Sequence, residues 1–173
     1  MKFLLATICI LGMVGMVIGT MVEAGDTVTA TVTIGTVSVT IAPTSFDYGT
    51  MPFSSNKQSF DTTGVLASKN ISATVGSLPT DLGIKGAVTT DWTTLHITTP
   101  GVNTYVHMFS TSTNETTRPA SYVGLTTNYA DNVLASNVAG SGQVWFGLKI
   151  YTPTSGVATQ QSAAVQVLAT WHQ

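Results

Sequence analysis

Charge is scarce in this chain. Charged residues make up 8% of its 173 positions, against roughly 25% in an ordinary soluble domain. The six Lys and Arg are scattered, and the formal net charge is −2, with no basic run and no acidic tail. A nucleic-acid surface needs clustered cations to neutralise phosphates, so nucleic acid is excluded as a partner. Cysteine is almost absent: Cys9 stands alone, inside an apolar N-terminal segment expected to be removed. The exported chain would then have no disulfide, thiol nucleophile or thiolate metal site. Downstream of Gly25 no amphipathic helical periodicity appears, and no repeat of about 20 to 50 residues suggests an array. GxSxG, a Gly-rich phosphate loop and an EF-hand pattern are missing too.

Threonine and serine fill the space that charge leaves, with 31 Thr and 15 Ser. Thr is β-branched and suits a pleated, half-exposed surface, which favours sheet over helix. The start, MKFLLATICILGMVGMVIGTMVEAG, carries one Lys, an apolar run from Phe3 to Ile18, and then Val22-Glu23-Ala24. Small residues at those last positions fit signal peptidase, giving residues 1–24 as a signal peptide and Gly25 as the new N-terminus. The run is short for a bilayer span of roughly 20 residues. Membrane association is therefore expected only through an uncleaved segment, and the location is extracellular or at the cell surface. Export without disulfides suits a bacterial or archaeal surface protein.

Residues 25–173 read as one all-β domain. Strands are expected at 27–34, 36–41, 45–48, 57–66, 70–75, 83–88, 93–98, 105–110, 121–125, 143–151 and 163–171, divided by Gly, Pro, Asn and Ser. Within 143–151, Val144, Phe146, Leu148 and Ile150 alternate with Trp145, Lys149 and Tyr151. Such half-buried strands predict two packed antiparallel sheets, an immunoglobulin-like or jelly-roll-like β-sandwich, with a closed barrel as the competing architecture.

The stretch VTIAPTSFDYGTMPFSSNKQSF, through Pro43, Phe46, Asp47, Tyr48 and Gly49, resembles the opening of bacterial immunoglobulin-like domains of the abnormal-spindle/major-sperm-protein type. That resemblance implies a sandwich and no particular activity. The segments around GIKGAVTTDWTTLHITTPGVNTYVHMFSTS and VWFGLKIYTPTSGVATQQSAAVQVLATW are similar to secreted bacterial surface proteins. More remotely, an exported, cysteine-free, Thr-rich sandwich with a strand right after its signal resembles TasA-type matrix-fibre proteins.

Chemistry has few footholds. The acids Asp26, Asp47, Asp61, Asp81, Asp91, Glu115 and Asp131 are dispersed, and His96, His107 and His172 lack metal-ligand spacing. No catalytic residue, cofactor or metal ligand is assigned. The oxygens of Asn128–Asn132 could hold a surface calcium near Asp131, or simply form a polar turn. Trp92 and Trp145 are candidates for stacking on sugar rings, against the plainer reading as packing residues. Asn70 and Asn114 head N-glycosylation sequons.

One stretch carries the functional expectation. In DTVTATVTIGTVSVTI, Asp26 to Ile41, the apolar residues Val28, Ala30, Val32 and Ile34 sit at even positions, and Val37, Val39 and Ile41 at odd ones. A continuous strand of this kind would turn one apolar set toward water, because its side chains alternate with a period of two. Either the chain bulges or crosses between sheets at Gly35, or 27–34 is a strand donated to another subunit, with Val28, Val32 and Ile34 as its assembly face. The favoured function is a secreted, non-enzymatic structural protein of the cell surface or extracellular matrix, self-associating into filaments by strand exchange. The alternative is a module that binds cell-surface polysaccharide or another surface polymer.

Overall fold

The computed structural model describes residues 35–173. The expected signal segment and the stretch Thr27–Ile34, with Val28, Val32 and Ile34, lie outside the described residues. The described residues form strands β1 (Val39–Ala42), β2 (Asn56–Gln58), β3 (Ile71–Val75), β4 (Thr80–Gly86), β5 (Thr94–His96), β6 (Thr104–Ser112), β7 (Val123–Gly124), β8 (Val133–Val138), β9 (Gln143–Tyr151) and β10 (Val165–Trp171). They make two sheets. The larger runs β1-β3-β9-β6-β5, with β2 on the second half of β9 and β7 on β6; the smaller is β10-β4-β8. Pairing is antiparallel except between β5 and β6, which run parallel. The fold is an all-β sandwich, and among the described residues both sheets keep strand edges that a closed barrel would have joined.

Register explains which residues meet. Ile71 lies opposite Phe146 and Ala73 opposite Val144, while Phe109 lies opposite Leu148, so the alternating apolar residues of β3, β6 and β9 share one face. In the small sheet Val167 lies opposite Ile84 and Ala169 opposite Leu82. These two faces enclose the core, with Leu66, Leu125 and Leu134 filling it from the connections and β8. Lys149 projects from the other face of β9, its ammonium 4.6 Å from the centre of the Tyr151 ring. Asp81 ties the small sheet together at one end. Its carboxylate accepts the Asn137 backbone N–H from β8 (2.8 Å) and lies 2.9 Å from His172 Nδ1, just beyond β10.

Three sequence expectations need correction. Residues 45–48 form no strand, because the Asp47 carboxylate takes the Gly49 N–H at 2.7 Å and Gly49 turns through φ +76°. Of the expected strand 57–66 only Lys57 and Gln58 pair, as part of β2. The chain then coils into 3-10 turns at Ser59–Asp61 and Gly64–Leu66, and Ser59 Oγ accepts the Leu148 N–H in place of a backbone carbonyl. Strand β8 was not expected from VLASNV, whose Ala, Ser and Asn are weak strand formers; it forms because it covers the second edge of β4.

Candidate functional site

A concavity opens on the side of the sandwich where, among the described residues, β1 and β10 lie as the outer strands of their sheets. It is a cleft of about 1300 Å³ between the segment 41–53 on one wall and 158–167 on the other. Its floor reaches the edges of Ile71, Phe146, Leu148 and Ile150, so it descends to the core. Rim residues Ile41, Phe46, Val165 and Val167 are only half-buried.

The first wall is fixed by the turn at Asp47–Gly49. It holds the Phe46 and Tyr48 rings edge to face at 4.8 Å, and Lys57 Nζ donates to the Tyr48 carbonyl at 2.7 Å. Tyr48 Oη then reaches His107 Nε2 on β6 at 3.1 Å. Burial pushes the His107 pKa down to about 4 and raises that of Tyr48 well above its ordinary value, so both are neutral near pH 7. Among the described residues His107 Nδ1 has no hydrogen-bond partner. A neutral phenol–imidazole pair beneath a cleft anchors the wall to the floor.

The second wall is held by a polar knot. Gln161 Oε1 accepts from the Thr89 hydroxyl (2.7 Å) and the Asp91 N–H (3.1 Å), and Gln161 Nε2 donates to the Asp91 carboxylate at 2.7 Å. The Thr159 hydroxyl donates to the same carboxylate at 2.6 Å. The Thr159 and Gln161 hydrogen bonds hold the Asp91 pKa below its usual range. The knot fastens the link between β9 and β10 to the loop after β4. Neither it nor the Tyr48–His107 pair was legible as a site in the sequence, because both join residues far apart along the chain.

The other sequence candidates scatter. Trp92 is half-buried at the cleft; its indole N–H donates to the Val157 carbonyl at 3.2 Å and its ring tilts against Tyr105 at 5.8 Å. Trp145 is half-buried on the outer face of β9, and Trp171, the last residue of β10, is exposed at 58%. Asn70 is buried, and its amide nitrogen donates to the Asn114 and Thr117 carbonyls at 2.9 and 2.6 Å, hydrogen bonds that a glycan on that nitrogen would displace. Asn114 is exposed, its Oδ1 accepting the Thr116 and Thr117 N–H groups. Around Asp131 the oxygens are spent locally: Asn128 Oδ1 accepts the Ala130 N–H, and the Thr126 hydroxyl donates to Asp131 at 3.0 Å. Among the described residues no group of three or more His, Cys, Asp or Glu is placed to hold a metal ion.

No protein-family model matches this chain, and no curated protein or solved structure matches it.

Proposed function

We propose that the protein is a secreted, non-enzymatic structural component of the cell surface or extracellular matrix, whose copies join by exchanging the segment Thr27–Ile34 at the open side of the sandwich. The observation that supports this reading is the pair of edges at the cleft. Among the described residues neither β1 nor β10 has a ladder partner on its outer side, and the groove between them descends to the core. Unpaired edges of this kind accept a further strand, which contributes main-chain hydrogen bonds and drops alternate side chains into pockets. Passed from copy to copy without closing, such a contact builds a fibre. The low charge and Thr-rich surface suit a protein that packs against copies of itself. Electron microscopy of the exported protein tests the proposal: filaments are expected, and dispersed monomers at high concentration would refute it.

A further inference from the structure

Two sequons stand in the chain, and the fold places them very differently. Asn70, the residue before β3, is 2% exposed. Its backbone N–H donates to the Glu115 carbonyl at 2.7 Å, and its Nδ2 donates to the Asn114 and Thr117 carbonyls at 2.9 and 2.6 Å. Both side-chain partners are carbonyls, so the nitrogen of the amide, and not its oxygen, must face them. A sugar on Nδ2 would replace one of those two N–H donors and would need room where the chain is closed. The buried carbonyl left behind would then go without its partner.

The connection that Asn70 holds, between β6 and β7, carries the second sequon. Asn114 and Thr116 are exposed there on a bend. Asn114 Oδ1 accepts the Thr116 and Thr117 N–H groups at 2.9 and 2.8 Å, and the Thr116 hydroxyl lies 3.3 Å from it. Among the described residues the side-chain hydrogen bonds of Asn114 all fall on that oxygen, and none engages Nδ2. The flanks are fixed. Ser112 Oγ donates to the Thr117 carbonyl at 2.6 Å, and Lys69 Nζ meets the Glu115 carboxylate at 3.0 Å. Further along, the connection sits directly on β9: a Cβ on Gly147 would come within 2.8 Å of Pro119 and 3.1 Å of Tyr122 Oη. A seated bend thus presents a free amide nitrogen with a hydroxyl two residues on.

We propose that Asn114 is an N-glycosylation acceptor in the folded domain, and that Asn70 is the post that presents it, itself closed to sugar. The donor is a lipid-diphosphate-linked oligosaccharide. Asn114 Nδ2 forms a bond to the anomeric carbon of the first sugar, and the bond from that carbon to the diphosphate oxygen breaks. The lipid diphosphate leaves with the electron pair, Nδ2 gives up one proton, and nothing is oxidised or reduced. The Thr116 hydroxyl beside Oδ1 is the third element of the sequon. The inference rests on the reading above only in that a cell must export the chain to bring it to the transferase. The geometry itself is tested on purified protein, where export plays no part.

Folded full-length chain is incubated with an oligosaccharyltransferase and its lipid-linked oligosaccharide, and the modified sites are read by peptide mass spectrometry. The enzyme is one that modifies both sequons in short synthetic peptides, residues 66–75 and 110–119, so any difference in the folded chain comes from the fold. Sugar is expected at Asn114, with at least ~10-fold less at Asn70, whose amide reacts only when the bracket opens. Thr116→Ala should abolish modification of Asn114, and Thr116→Ser should restore it. Comparable occupancy at the two asparagines, or a bare Asn114, would overturn the proposal. A chain that accepts sugar at Asn114 in vitro yet returns bare from a cell that glycosylates its exported proteins would count against export and leave the acceptor site standing.

Discussion

Strands β9 and β10 look alike in sequence, yet they meet different fates. Both alternate cleanly: Val144, Phe146, Leu148 and Ile150 in one, Val165, Val167 and Ala169 in the other. In β9 the apolar set is 2–5% exposed from Phe146 onward, because β3 and β2 flank one side and β6 the other. In β10 the same pattern is half-buried, beside a cleft, with one neighbour among the described residues. Alternation encodes which face turns inward; how many strands stand beside that face depends on residues far away in sequence. An apolar face of central quality at a sheet edge marks a position whose neighbour is still to be accounted for.

The comparison can be broken most sharply in β9. Leu148→Ala should cost about 2 to 5 kcal/mol in denaturant unfolding, since the surrounding core cannot collapse onto the void. A loss under about 1 kcal/mol would show that the centre of the large sheet is looser than its burial implies.

A pH titration of stability probes the cleft floor. The His107 imidazole has a folded-state pKa of about 4, whereas an unfolded one titrates near ~6.5. Between those values the unfolded chain binds a proton that the folded chain refuses, so stability is full above about pH 6.5 and falls as pH drops toward 4. For roughly 2.5 pKa units the loss is on the order of 3 kcal/mol. His107→Gln should flatten that window. Asp81 and Asp91 have pKa values held below the ordinary carboxylate value, so the acid loss they cause lies at lower pH and should survive the substitution. An unchanged slope between pH 6.5 and 4 would mean that His107 is protonated in the folded state.

Smaller effects sharpen the contrast. Val167→Ala on β10 should cost about 1 kcal/mol, well short of Leu148→Ala, because only part of that side chain leaves water. Equal losses would mean that β10 is as enclosed as β9. Lys149→Ala, on the outer face of β9, should stay within about 0.5 kcal/mol of neutral by the same unfolding measurement; a larger cost would assign real packing to its contact with Tyr151.

Much of the fold was legible because it rests on a local signal. Periodicity located β3, β9 and β10 to within two residues and gave the inward face of β9. It failed where side chains replace the backbone ladder, as at Ser59 and Asp47, and where a weak strand is recruited by a neighbour's open edge, as in β8. The candidate site was less legible. His107 looked like an isolated strand histidine, and only the fold sets it 3.1 Å from Tyr48, 59 residues earlier.

The proposed assembly stands or falls on one comparison. Exported protein beginning at Gly25 and the same chain lacking Gly25–Ile34 are concentrated side by side and followed by sedimentation and electron microscopy. Filaments from the first, and soluble folded subunits from the second that take up a Thr27–Ile34 peptide, are the expected result. Filaments that form equally well without those residues would contradict strand exchange at the open side of the sandwich.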